Sequence, residues 1–539
     1  MEITNNYLHE MILLDPTIND IINQKEYIQY RDILPNYFLD SYDNKILKLS
    51  KKYINIFKQK KNKNIYDQLL EIDLNEYLKT LYFDDRYLPL SHLDNIYSNF
   101  IMEINSKDSK YSFKDLQSYK DYIHRLKNLK DISKTIILFL KKGIKNNITI
   151  PYRIVKSIIK QNQELLKNNT YQNEFNHYQK IPSSIKKEFL NSIQSCLIQS
   201  IMDINKFLIN QYTDKCRKTI GLSYIKNGKK YYKDIISFYT SDKYTPETIH
   251  KLGYTEINKN LKNLSDLKRK MKINTDYQSF INEMKNKHNL NKKDNKYILN
   301  ELEKIKKRSK KIFTKYFHGS LSDKDFYKIK IVPEEEDHSF AYYVCPEINT
   351  NKNGIFYINP NNINKYELPV LSLHEGIPGH HYEYKYNYKK KKPLYYKLSN
   401  YTSYSEGWGL YCESLLESNN NFELFWKYIY NLHRSIRLVI DTGIHYYNWS
   451  FDKCFYFMKQ YLPLSDEQIQ NEIYRYISDP GQAITYKIGE LFILDLRKKY
   501  FKKYGENYKD FHKFFLDIGP CPLNIVEEKF NELFKMIED

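Results

Sequence analysis

Apolar residues recur every three or four positions along most of the chain, as in Tyr122, Leu126 and Leu129 or in Phe189, Ile193, Leu197 and Ile201. That interval matches the turn of an α-helix and gathers the apolar side chains on one face. From residue 1 to about 335 the pattern predicts a stack of amphipathic helices, without the fixed internal period of a repeat protein. It breaks at Val332, Pro333 and the acidic run Glu334 to Asp337. Beyond the break, Phe340 to Val344 and Gly354 to Asn359 are short and rich in β-branched and aromatic residues. The turn-forming stretch Asn349 to Asn353 separates them, and together they predict a β-hairpin. Helical spacing returns at Leu368, with segments near 368–387, 398–418, 422–447, 451–460, 466–477 and 482–502. The expected fold is mainly α, with a small hairpin or sheet beside the first of these helices. The expected organisation is one catalytic domain over 1–539, with 1–335 as a mostly helical lobe and 336–539 carrying the hairpin and the site.

The first of those helices carries residues suited to a metal. Leu371-Ser372-Leu373-His374-Glu375-Gly376-Ile377-Pro378-Gly379-His380-His381 begins as an apolar run, presents His followed at once by Glu, and is then interrupted. In the common arrangement two histidines stand four apart, so both rings lean from one helix face into one coordination sphere while the Glu reaches the attacking water. In this chain the next histidines come six and seven residues after His374. On a straight helix the sixth residue lies about 120° around the axis and the seventh about 10 Å along it, too distant for Zn–N bonds of roughly 2.0 Å. The helix is expected to distort at Gly376, Pro378 and Gly379, because proline removes a donor and glycine tolerates unusual dihedrals. His380 is preferred as second ligand, since two extra residues are the smaller disturbance, and His381 is the alternative. A third ligand is expected from Ser405-Glu406-Gly407-Trp408-Gly409-Leu410-Tyr411-Cys412-Glu413, whose two glycines allow close packing against the helix bearing His374. Glu406 is the preferred ligand, with Glu413 in a supporting or solvated position. One zinc ion is the expected cofactor on ligand type, with Glu375 as general base.

Composition changes this picture little. The net charge of +20, from 85 Lys and Arg against 65 Asp and Glu, would suit a polyanionic partner. The lysines, however, are spread in short runs such as Lys389 to Lys392, and only 15 Gly, 16 Pro and 3 Trp accompany heavy use of Lys, Asn, Ile and Tyr. An A+T-rich coding sequence gives that bias whatever the function, so nucleic acid is not expected as a partner. Six cysteines without a CxxC pair argue for a reducing compartment. No window reaches the roughly 18 apolar residues of a membrane span, and the first residues lack a basic-then-apolar leader. The expectation is a cytoplasmic protein with no membrane partner and no signal of its oligomeric state.

HEGIPGHHYE (374 to 383) and SEGWGLYCE (405 to 413) resemble the two most specific motifs of the DUF885 family of predicted gluzincin-like metallopeptidases. Similar matches are GKKYYKDIISFYTSDKYTPETIHKLG (228 to 253), AYYVCPEINTNKNGIFYINP (341 to 360), DTGIHYYNWS (441 to 450) and DPGQAITYKIGELFILDLR (479 to 497). The resemblance covers about 225 to 500 firmly and the N-terminal DPTINDIINQ loosely. It implies a large helical zinc-peptidase fold with a long substrate groove, acting on peptides. Many relatives carry secretion signals, from which this chain departs.

Two candidates could hold the oxyanion of such a reaction. Tyr486, which rests mainly on the motif, follows the Asp479-Pro480-Gly481-Gln482 break near a helix start. His445 stands four residues after Asp441 and eight after Arg437, so all three share a helix face and Asp441 could fix the imidazole tautomer. Arg475 and Lys487 are candidates for a substrate carboxylate. Gly354 to Asn359, with Phe356 at its centre, is read as an edge strand that could pair with an extended peptide, Tyr342 and Tyr343 lining the same groove; a purely structural hairpin is the competing reading. The alternatives to a peptidase are a zinc hydrolase of another amide or ester, and a catalytically silent scaffold or binding protein of the same fold.

Overall fold

The computed structural model describes residues 2–536 apart from 94, 106–110, 168–180, 288–289, 291–294, 333–340, 347 and 349–351. The predicted acidic run Glu334 to Asp337, Phe340 and the first part of the turn at 349–353 lie outside the described residues. What is described is mainly α-helical with one three-stranded sheet, as the spacing predicted.

Local chemistry sets several helix boundaries around the site. Helix α1 (Pro246–Lys270) starts where the Thr245 hydroxyl accepts from the Thr248 N–H and proline fills the first position, which needs no N–H. The segment carrying His374 is divided into α2 (Leu368–Leu371), a widened π-helical turn over Ser372–Gly376, and α3 (His380–Tyr388). Then follow α4 (Thr402–Ser414), α5 (Asn421–His445), α6 (Asp466–Ser478) and α7 (Gln482–Tyr504). Asn420 caps α5, and a reciprocal Ser465–Gln468 capping box opens α6.

Strands β1 (Lys328–Ile331), β2 (Ala341–Val344) and β3 (Ile355–Ile358) form a sheet in the order β1-β3-β2. The predicted hairpin is the antiparallel pair β2 and β3, with Tyr343 opposite Phe356. The sequence reading missed β1, four residues at the end of a long helical stretch, which pairs with β3 in parallel. That pairing overturns one expectation. The strand within Gly354 to Asn359 is the centre of the sheet and both its edges are hydrogen-bonded, so it has no free edge for a peptide. Phe356 is fully buried against Tyr327 and belongs to the core instead of a substrate surface. The outer strand on this side is β2.

Helix α5 is the central support. Every residue from Arg434 to His445 is buried, and the helix packs along α1 and against α7. Helices α4 and α7 approach closely because glycines face each other: a Cβ on Gly407 would come 2.4 Å from the Gly489 Cα, and one on Gly489 would meet the Ser403 carbonyl oxygen at 2.0 Å. No described helix is long and apolar enough to cross a membrane. Since backbone cannot yield as a flexible side chain can, Gly489→Ala is expected to destabilise the protein by about 1–3 kcal/mol. A guanidinium unfolding curve would show this as a lower midpoint, whereas an unchanged midpoint would mean the two helices have room to part.

Candidate metal centre

The interruption after Gly376 brings His374 and His380 together. Their rings lie 4.8 Å apart between centroids and at 89° to each other, one from the widened turn and the other from the first position of α3. Gly379 makes the reversal possible, since a Cβ there would sit 1.9 Å from the His374 carbonyl oxygen. Helix α4 holds the interruption in place: the Trp408 indole N–H donates to the Pro378 carbonyl at 2.9 Å. One residue on, Gly409 lies flat against His374, whose ring atoms a Cβ would approach to 2.8 Å.

Glu406, also on α4, completes a cluster of three, its Oε2 standing 3.4 Å from His374 Nε2 and 3.4 Å from His380 Nε2. Those separations exceed an ordinary N–H···O hydrogen bond, and Glu406 Oε2 is buried without a hydrogen-bond partner. They equal the edge of a tetrahedron whose bonds are zinc-length, about 3.3–3.4 Å for bonds of roughly 2.0–2.1 Å. Each imidazole is backed by a carboxylate. His374 Nδ1 donates to Glu413 Oε1 at 2.8 Å, leaving Nε2 its lone pair, and His380 Nδ1 faces Glu383 Oε2 at 3.8 Å. Ser405 Oγ donates to the other oxygen of Glu383, and the Arg434 guanidinium lies 3.4 Å from Glu413.

The electrostatics follow from burial and from these pairs. Burial opposes charge on His374 and His380, but the surrounding carboxylates outweigh it and raise both above the ordinary imidazole range. Burial likewise opposes charge on Glu406, yet the two imidazoles hold it well below the ordinary carboxylate range. The same carboxylates that favour positive charge on these imidazoles favour a cation between them, and a bound metal would compete with protons for the two Nε2 atoms. Glu375 differs: burial lifts its carboxyl above the ordinary range despite the neighbouring imidazoles. The centre opens into a cleft of about 1120 Å³ lined by His374, Glu375, His380, Glu406 and Tyr486. Past Leu93, Tyr239, Asn400 and Asp479 the cleft adjoins a second cavity of about 1390 Å³.

The family model described as "Bacterial protein of unknown function (DUF885)" matches residues 40–530. The chain belongs to the DUF885 family. No curated protein matches the sequence of this DUF885 chain. Among solved structures it is similar to one from Colwellia psychrerythraea, with a TM-score of 0.87 at 18% identity over 99% of this chain and 98% of that one. A second, from Shewanella oneidensis, gives 0.74 at 16% identity over 98% of each chain. Both are described as a "putative lipoprotein", the second as of unknown function, and at these identities the likeness establishes the fold alone.

The DUF885 chain brings together His374, Glu375, His380, Glu406, Tyr486, Arg475, Tyr342 and Tyr343 around one cleft. His381, the alternative ligand, points elsewhere, with one ring nitrogen against Tyr343 Oη at 3.0 Å and the other against the Asp325 carbonyl at 2.7 Å. Two candidates are structural. His445 is fully buried; its Nδ1 accepts from the Leu222 N–H at 3.2 Å and its Nε2 donates to the Tyr476 carbonyl at 2.8 Å. Asp441 does not touch it and instead accepts from Tyr232 Oη at 2.5 Å and the Gly481 N–H at 3.1 Å. Lys487 is buried among Glu490, Asn431 and Glu256, at 2.7, 2.7 and 3.2 Å, and has no charge to offer a substrate. Sequence reasoning overlooked Glu383, Arg434 and the place of Arg437 in the cleft. A signal was present: Tyr430, Arg434, Arg437 and Asp441 recur at spacings of four, three and four along an otherwise apolar buried helix.

Burial holds His445 and His512 down to about 3, and both rings use both nitrogens as neutral imidazoles. Because the folded value lies below the ordinary one near 6.5, their contribution to stability is full above that value and is lost as pH falls towards 3. The guanidinium midpoint is expected to fall between pH 7 and pH 5, while the imidazole NMR signals of His445 and His512 stay those of neutral rings at pH 5. Protonated rings in the folded protein at pH 5 would contradict this.

Proposed function

We propose that this chain is a zinc-dependent hydrolase, a metallopeptidase that cleaves oligopeptides. The observation that carries the reading is the meeting of His374 Nε2, His380 Nε2 and Glu406 Oε2 at the spacing of a tetrahedral zinc set, beside Glu375 in an open cleft. A zinc ion held by these three atoms supplies Lewis acidity, polarising a carbonyl and easing deprotonation of water. Glu375, whose carboxyl burial raises above the ordinary range, takes the proton from the attacking water and passes it to the departing amine. Tyr486 Oη accepts from Arg475 Nη2 at 2.9 Å, so its own O–H is free to donate to the substrate carbonyl oxygen as charge gathers there.

The peptide part of the reading is supported by β2. It is the last strand in the sheet order, and its Ala341, Tyr342 and Tyr343 line the cleft, so an extended peptide would run along the sheet's cleft side beside the metal centre. The cytoplasmic placement is supported by the six cysteines, all unpaired and four of them buried.

Glu375→Gln separates binding from chemistry. Elemental analysis is expected to find one zinc per chain in wild type and variant, while hydrolysis of a mixed oligopeptide library falls by about 10²–10⁴-fold in the variant. Zinc in both proteins without cleavage by either would point to a different hydrolytic substrate, and no zinc in either would overturn the reading.

A further inference from the structure

The cleft holds hydrogen-bond donors that the metal centre does not use. The Tyr486 ring that stacks against His374, with centroids 6.3 Å apart, also carries two guanidiniums, Arg437 Cζ at 4.7 Å and Arg475 Cζ at 5.5 Å from its centroid. Both share one carboxylate within ion-pair distance, Glu472, at 3.2 and 3.7 Å. Tyr476 Oη and His433 Nε2 draw on that same carboxylate, at 2.5 and 3.3 Å. Asp479 also lines the cleft, where burial raises its carboxyl above the ordinary range and the nearby Arg475 charge opposes that rise. The Arg475 guanidinium also donates to Gln482 Oε1 at 2.7 Å, so this side of the wall is a hydrogen-bonded guanidinium pair held around Glu472.

One donor is left over outright. Arg437 Nη1 is buried without a hydrogen-bond partner, on a side chain only 6% exposed that lines the cleft. Two neighbours in the same wall repeat the pattern: Arg434 Nε and Trp426 Nε1 are buried and unpartnered. A buried donor left unpaired costs free energy, and three on side chains that line one cleft describe a wall suited to a hydrogen-bond acceptor. A guanidinium's flat fork suits a carboxylate in particular.

We propose that this wall binds the free carboxylate of a peptide substrate, so that the cleft works from the C-terminus of oligopeptides. Arg437 and Arg475 hold the carboxylate, and Tyr486 sets its distance from the metal ligands. One aromatic ring separates the guanidiniums from His374, a span that up to three extended residues cover at roughly 3.5 Å each. Hydrolysis adds water across one C–N bond, leaving a new carboxylate on the upstream peptide and a free amine on a short C-terminal fragment. The position of the cut rests on the hydrolase reading above, whereas the carboxylate site itself does not.

Two measurements on the zinc-loaded protein test this. The first compares hydrolysis of peptides identical in sequence but ending in a free carboxylate or a carboxamide. Amidation is expected to lower kcat/KM by at least about tenfold, the usual weight of a charge-assisted hydrogen bond. In Arg475→Gln, which alters a side chain 24% exposed at the cleft and not the deeply buried Arg437, the acid-to-amide ratio is expected to approach one. The second is calorimetric binding of the dipeptide Ala-Phe and of its amide, with the acid expected to bind at least about tenfold more tightly. Equal hydrolysis and equal binding of acid and amide would overturn the carboxylate site even if peptides are cleaved. Tighter binding of the acid without cleavage of any peptide would uphold the site and remove the peptidase reading instead.

Discussion

Two histidines six residues apart can share a ligand only if the helix between them is broken and the break is held in one shape. In this protein the break runs from a widened turn at Ser372–Gly376 to the start of α3 at His380. Helix α4 holds it through the Trp408 indole on the Pro378 carbonyl, the missing side chain of Gly409 against His374, and the Glu413 carboxylate on His374 Nδ1. Because Glu406 rides on that same helix, whatever fixes the break also fixes the third member of the cluster. The Gly407–Gly489 crossing then ties α4 to α7, which carries Tyr486. Ligand geometry and cleft geometry are thus set by one packed unit.

Helix α5 serves the same unit from behind. Its polar face does three jobs in succession: Arg437 meets Glu472, Asp441 takes the Gly481 N–H, and His445 donates to the Tyr476 carbonyl. Together these fasten the end of α6 and the turn into α7, which decides where Tyr486 and Arg475 stand. A neutral His445 suits this role, since both ring nitrogens are spent on backbone groups in a site where burial disfavours charge. The candidate metal centre is the opposite case, where carboxylates surround buried imidazoles and favour positive charge.

The helical class, the β2–β3 pair and the meeting of His374, His380 and Glu406 were legible because each follows from local spacing. Helix periodicity identifies α4 to α7 within a few residues, and the spacing mismatch between His374 and His380 locates the distortion from sequence alone. What escaped was set at long range. The central place of β3 depends on β1, a four-residue strand with no pattern of its own strong enough to see. His445 and Lys487 looked functional because polar residues on a helix face are visible in sequence, while the partners that consume them, Leu222, Tyr476 and Glu256, come from other elements. Arg437 was visible as a member of that face, but its unpartnered nitrogen is a property of packing alone.

Where a metal ion binds decides between a catalytic centre and a structural cluster. Crystals grown with zinc and measured on both sides of its absorption edge would locate it without reference to activity. The predicted result is one anomalous peak about 2.0–2.2 Å from His374 Nε2, His380 Nε2 and Glu406 Oε2. No peak at that point, or a peak bonded to His381 instead of His380, would contradict it.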